Sequence, residues 1–130
     1  MDFLHELTIE KFHEGLLHKE FTALEVTKGL FKHIKDADLE INAYLQLHEE
    51  SAIKEAKDVD AALAKGENLP ELAGVHLAVK DNILIQGRKT TSASKILGNY
   101  VASYDATVIK KLKEQKAIFL GNTNMDEFAM

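Results

Sequence analysis

Through the first half of the chain, apolar residues return every three or four positions, the repeat of a helix with one buried side. Thr8 is placed to cap a first helix that puts Ile9, Phe12 and Leu16 on one face. Thr22-Ala23-Leu24-Glu25 is a capping box, in which the threonine oxygen and the glutamate carboxylate satisfy opposite free N–H groups. It predicts a second helix with Ala23, Val26, Leu30 and Ile34 inward, which Asp36-Ala37-Asp38 is expected to end. Residues 41–47, INAYLQL, alternate with period two and predict a short strand. A third helix is predicted from Ser51 to Lys65 with Ile53, Ala56, Val59 and Leu63 inward. Gly66 is placed to stop it, and Pro70 falls in the loop beyond.

From Leu72 the pattern changes. GVHLAVKDNI (74–83) predicts a strand at Val75–Val79 that ends in Lys80, Asp81 and Asn82. The following ILIQGRKTTSASKILGNY is too rich in small and polar residues for regular structure throughout, with a turn expected at Gly87 and a helical turn at 94–97. Asp105 is placed to cap a helix with Val108, Ile109 and Leu112 inward, and AIFLG (117–121) predicts a buried strand. Strand, helix, strand is the parallel crossover unit of an α/β protein. NTNMDEFAM (122–130) reads as a loop entering a helix. A parallel pair buried on both faces is not a finished domain, so a fragment of a larger α/β protein is expected.

Composition narrows the function classes. Of the 130 residues, 45% are hydrophobic and 28% charged, the balance of a globular protein with one ordinary domain. The formal charge of −5, with basic residues interspersed among acids, argues against this chain alone gripping a nucleic-acid backbone. The densest basic stretch, VIKKLKEQK, reads as a solvated helix face. No apolar run has the length of a membrane span, and the acidic, amphipathic MDFLHELTIEKF has the character of neither a signal nor a transit peptide. A cytoplasmic location is therefore expected. Without cysteine there is no disulfide framework and no thiolate chemistry.

Among candidates for chemistry, Lys80 stands out. The C-terminal end of a parallel strand is where α/β folds place their sites, and burial beside Val79 and Ile83 would favour a neutral, basic amine. The alternative is a lysine whose stem packs on the sheet while its head reaches water. Asp81 and Asn82 are helpers or turn formers. Ser92-Ala93-Ser94-Lys95 matches S-x-x-K, but its companion S-D-N is absent and Lys89-Thr90-Thr91 lies upstream without the glycine, so the match is rejected. The six histidines lack metal-site spacing, and His76 reads as a packed or hydrogen-bonded residue. There is no glycine-rich phosphate loop.

Three blocks in order carry a resemblance: GVHLAVKDNI, then GRKTTSASKILGNYVASYDATVIKKL, then FLGNTNMDEFAM. They resemble the amidase signature family, whose wording is G-[IV]-P-x-x-[IV]-K-D followed by G-K-T-N. TT-x-AS-x-x-L-x-NY and TNMDEFAM are closest to its tRNA-dependent amidotransferase branch. His76 stands where the family usually has Pro, Ser92 where it often has Cys, Lys116 where Gly is common, and Asn122 where Lys is common.

The resemblance implies an α/β/α sandwich with a mixed sheet and helices on both faces. Residues 1–130 would be the N-terminal portion of one such domain, cut before a Gly/Ser-rich signature. It implies a Ser–cis-Ser–Lys unit with Lys80 as the base and both serines in that signature. Thr90, Thr91, Asn124 and Met130 would lie near the substrate pocket. It further implies glutamine as substrate, with ammonia passing to a partner B subunit that uses ATP and magnesium. A third, C subunit would complete the amidotransferase, with tRNA held mainly by the B partner. No cofactor or metal is expected on this chain, and the chain by itself is expected to be inactive. Two alternatives stay open: a general amidase fragment, and a non-catalytic module that docks on a partner protein.

Overall fold

The computed structural model describes residues 7–130, so the first six positions of the amphipathic N-terminal segment lie outside the described residues. Helix α1 (Ile9–Leu17) starts where Thr8 accepts from the Lys11 N–H, and it buries Phe12, Gly15 and Leu16. Helix α2 (Ala23–Ile41) carries the capping box: Thr22 Oγ1 accepts from Glu25 N, and the Glu25 carboxylate accepts from Thr22 N at 2.8 Å. Its remaining first-turn N–H groups are met from outside the helix, because Asp60 accepts from Ala23 N at 2.8 Å and Leu24 N at 3.0 Å.

The polar triplet at 36–38 does not end α2, which runs on to Ile41. The Asp38 carboxylate instead accepts from Ala43 N and Tyr44 N beyond the helix, with Asn42 left-handed at the cap. Asp38 is thus the last-turn anchor of the exit, and Leu39 and Ile41 are left exposed. The strand predicted over 41–47 is correspondingly shorter, β1 (Tyr44–Leu47). Helix α3 (Glu49–Ala64) begins two residues before the predicted Ser51. It turns Ala52, Ala56, Val59 and Ala62 inward, and Leu63 is half-buried against the same core. Gly66, at φ +71°, closes it with its N–H on the Leu63 carbonyl.

Strand β2 (His76–Lys80) leads through an irregular stretch into α4 (Thr107–Glu114) and β3 (Ile118–Thr123). Ala106, not Asp105, sits at the α4 cap. Asp105 is taken by the Gln86 N–H at 2.7 Å and by Lys113, which leaves Ile109 buried while Val108 stays half exposed. The turn at Gly87 and a 3-10 turn at Lys95–Leu97 form as expected. After β3, residues Glu127–Ala129 make a 3-10 turn with Phe128 left-handed, where the sequence suggests a helix entrance.

The sheet has the order β1-β3-β2, with β1 antiparallel and β2 parallel to β3. Central β3 separates two cores. Ile118 and Leu120 join Phe12, Val26, Phe31, Ala56 and Val59 of the first three helices, whereas Phe119 packs with Val79, Ile85 and Ile109 on the other face. Alternation along one strand thus builds a three-layer α/β/α arrangement with a mixed sheet. Bulges at Leu45 and Leu120 adjust both registers. Where β1 crosses Gly121, a Cβ would lie 2.2 Å from the Gln46 carbonyl oxygen, so only glycine fits. Among the described residues no helix is long and apolar enough to cross a membrane.

Candidate active site

Lys80 closes β2 at the C-terminal end of the parallel pair, opposite Thr123 of β3. Its side chain is exposed, so Val79 and Ile83 do not bury it, and it has no hydrogen-bond or ion-pair partner among the described residues. The next residue is the reverse. Asp81 is completely buried, and each of its polar groups is occupied. Its N–H donates to Thr123 O at 3.2 Å, and its carbonyl accepts from Ser92 N at 2.9 Å. One carboxylate oxygen accepts from Asn122 Nδ2 at 2.8 Å. The other accepts from Thr91 N at 3.0 Å and from the Thr91 hydroxyl.

The chain of bonds continues through Asn122, which is also fully buried. Because a carboxylate only accepts, the Asn122 amide must turn its NH2 to Asp81 and its oxygen away. That oxygen lies 2.7 Å from His48 Nε2, so His48 carries its proton on Nε2 and donates. Burial lowers the His48 pKa against the opposing pull of the Asn122 bond, which favours the neutral ring. His48, Asn122, Asp81 and Thr91 therefore form one satisfied run across the ends of β1, β3 and β2.

This network fixes the loop after β2. Ser92 and Ala93 take left-handed conformations at φ 49° and 55°, held by Ser92 N on Asp81 O and Ser94 N on Thr91 O. The C-terminal turn is tied to the same loop, with Phe128 N on Ser92 O at 3.0 Å and the buried Ser94 hydroxyl on Glu127 at 2.7 Å. Behind it, Arg88 donates to Ser51 Oγ at 2.8 Å and lies 3.4 Å from Glu55, while Glu55 accepts from Phe119 N beside the β3 bulge. Burial pushes the Glu55 pKa up, opposed by these two donors, and pushes the Arg88 pKa down.

Of the residues singled out in the sequence, Thr91 bonds to Asp81, the residue that follows Lys80 in the chain. Thr90, next in the chain to Thr91, is buried with its hydroxyl oxygen unpartnered among the described residues. Asn124 serves the turn before β1, its amide donating to Asn42 O at 3.3 Å and its N–H to Ala43 O at 2.7 Å. Met130 is 96% exposed and lies outside the network. His76 is a packed histidine with a bonded ring: Thr27 gives its one hydroxyl proton to Ala23 O, so its oxygen accepts from His76 Nε2 at 2.7 Å. Sequence reasoning misses His48 and Asn122. The available signal is an amide inside an apolar strand, since a buried amide demands partners.

The sequence model of the Amidase family matches residues 25–130. The chain is 50% identical over 125 residues to a glutamyl-tRNA(Gln) amidotransferase A subunit, the second of that name, of Clostridium acetobutylicum, covering 96% of this chain and 26% of that protein. It is 46% identical over 127 residues to the glutamyl-tRNA(Gln) amidotransferase A subunit of Fusobacterium nucleatum subsp. nucleatum, covering 98% and 26%. Among solved structures it is similar to peptide amidase from Stenotrophomonas maltophilia, with TM-score 0.88 and 25% identity over 95% of this chain and 26% of that one. A vestigial protein complex tied to the origins of an s-triazine catabolic enzyme gives TM-score 0.88 and 35% identity, covering 94% and 27%. The chain spans about a quarter of the length of these curated relatives. With a family match across most of its residues and relatives aligned along nearly all of it, the chain belongs to the amidase family.

Proposed function

We propose that this chain supplies the lysine-bearing part of a glutamine-hydrolysing amidase site, and that the whole protein is the glutaminase component of a tRNA-dependent amidotransferase. The carrying observation is Lys80 at the parallel-strand end, fixed next to a fully anchored Asp81, in a chain 50% identical to an amidotransferase A subunit. Residues 1–130 are then the N-terminal portion of one amidase domain.

In this reading Lys80 is the general base. A serine hydroxyl is too weak an acid to attack unaided, and a neutral amine can take its proton through a bridging serine. Both serines belong to the Gly/Ser-rich segment expected after TNMDEFAM. The serine oxygen bonds to the amide carbon of glutamine, and the proton returns through the same relay to the leaving nitrogen. Water then releases glutamate from the acyl-enzyme. Thr90, with a buried hydroxyl unpartnered among the described residues, is the strongest of the substrate-side candidates, followed by Thr91, Asn124 and Met130. Ammonia passes to a B subunit holding ATP and magnesium, which amidates the mischarged tRNA, and a C subunit completes the complex.

Substrate profiling tests the reading. The 130-residue chain is expected to release no ammonia from glutamine. The chain continued through the Gly/Ser-rich segment and the rest of the domain, together with the B and C partners, is expected to release it. A preference for simple aliphatic amides over glutamine would point instead to a general amidase. Stable stoichiometric binding of the B partner by an invariably inactive protein would point to a docking module.

A further inference from the structure

We propose that His48 and Asn122 are positioning residues for Lys80, acting through Asp81; the inference rests on the amidase reading above. Neither side chain need touch substrate. Lys80 has no side-chain partner among the described residues, so its aim depends on the backbone that carries it. That backbone is fixed one residue later, where Asp81 is buried and all its polar groups are bonded. Lys80 and Asp81 share one planar peptide unit, so a turn of Asp81 out of its seat turns the Lys80 backbone with it.

Asn122 is the only side-chain donor to one of the two Asp81 carboxylate oxygens among the described residues. Its geometry is not self-sufficient. A free amide in that position can flip and present its oxygen to the carboxylate, which would repel it. Asp81 selects the NH2 end, and the His48 Nε2–H, 2.7 Å from the Asn122 oxygen, holds the amide in that orientation against a flip. The polar direction of the run is therefore set by the acceptor-only Asp81 carboxylate at the end of β2 and held from the other side by His48, where β1 exits into α3. The same seat holds Thr91 and, through the Asp81 carbonyl, Ser92.

The test compares His48→Leu, His48→Gln and Asn122→Leu in the complete amidase protein, with Lys80→Ala alongside. Misplacing a catalytic group by a fraction of its reach lowers kcat more than it alters binding, so the two leucine variants are expected to lose about 10- to 100-fold in kcat with KM little changed. Gln places an amide N–H near the position of His Nε2 and is expected to restore most of the loss. In the 130-residue chain, amide exchange at Thr91 and Ser92 is expected to quicken selectively in Asn122→Leu, with α2 unaffected; if that variant fails to fold, His48→Leu carries the same readout. Wild-type kcat in folded leucine variants, a loss that Gln does not restore, or unchanged exchange at Thr91 and Ser92 overturns the positioning role alone. Undiminished ammonia release by Lys80→Ala overturns the amidase reading beneath it.

Discussion

His76 packs edge-on to Phe12 and donates to Thr27, and burial pushes its pKa down to about 4 from 6.5. Between those values the unfolded chain binds a proton that the folded chain excludes, so stability rises with pH across the window and is lost as pH falls through it. At about 1.4 kcal/mol per unit the loss from His76 amounts to about 3 kcal/mol. Denaturant titrations from pH 7 to 4 should show this slope, and His76→Gln should flatten it, with His48 contributing in the same direction and Glu55, whose pKa is raised, in the opposite one. Gly121 is a second single-residue test. A methyl there meets the Gln46 carbonyl and the Tyr44 ring, so Gly121→Ala should cost about 2 kcal/mol or more and loosen β1 from β3, visible as a lower melting temperature and faster exchange at Gln46. At this scale the sequence marks Lys80 by its place at the end of an apolar run, whereas His48 and Asn122 acquire meaning only once β1 and β3 are in register.

The joint between α2 and α3 illustrates how an element depends on a distant residue. Asp60 of α3 accepts from the Ala23 and Leu24 N–H groups, two donors that no residue within α2 can satisfy. Asp60→Ala should therefore cost about 1–3 kcal/mol by equilibrium unfolding, whereas Asp60→Asn should recover part of it. The capping box at Thr22 is legible in the sequence because both partners lie within four residues. The Asp60 cap is not, because its partners are 36 and 37 residues away. The end of α2 misleads for a related reason: Asp36 and Asp38 look like a stop, but Asp38 uses its carboxylate on the turn beyond Ile41. Asp105 likewise looks like a cap and is claimed by Gln86 and Lys113. Periodicity locates the elements, and tertiary hydrogen bonds decide their ends.

At the scale of the molecule, the three-stranded sheet leaves one edge of β1 and one of β2 unpaired among the described residues. Ile96, Val101, Tyr104 and Val108 are also exposed, at 85, 50, 57 and 49%. Open strand edges and apolar surface both favour association. The 130-residue chain should sediment as dimers or larger species at micromolar concentration, and a cooperative monomer across that range would refute this expectation. The layer order and the crossover are legible from the strand–helix–strand pattern, and the lysine's place from the strand end. The network that seats it is not, since its members come from three separate strands' ends and a loop. The most direct measurement is glutamine-dependent ammonia release by the complete amidase protein, wild type against Lys80→Ala. If Lys80 is the base proposed above, its removal should cut release by about 100-fold or more while the fold persists. Turnover by Lys80→Ala equal to that of the wild type would contradict the assignment of Lys80 and the site built on it.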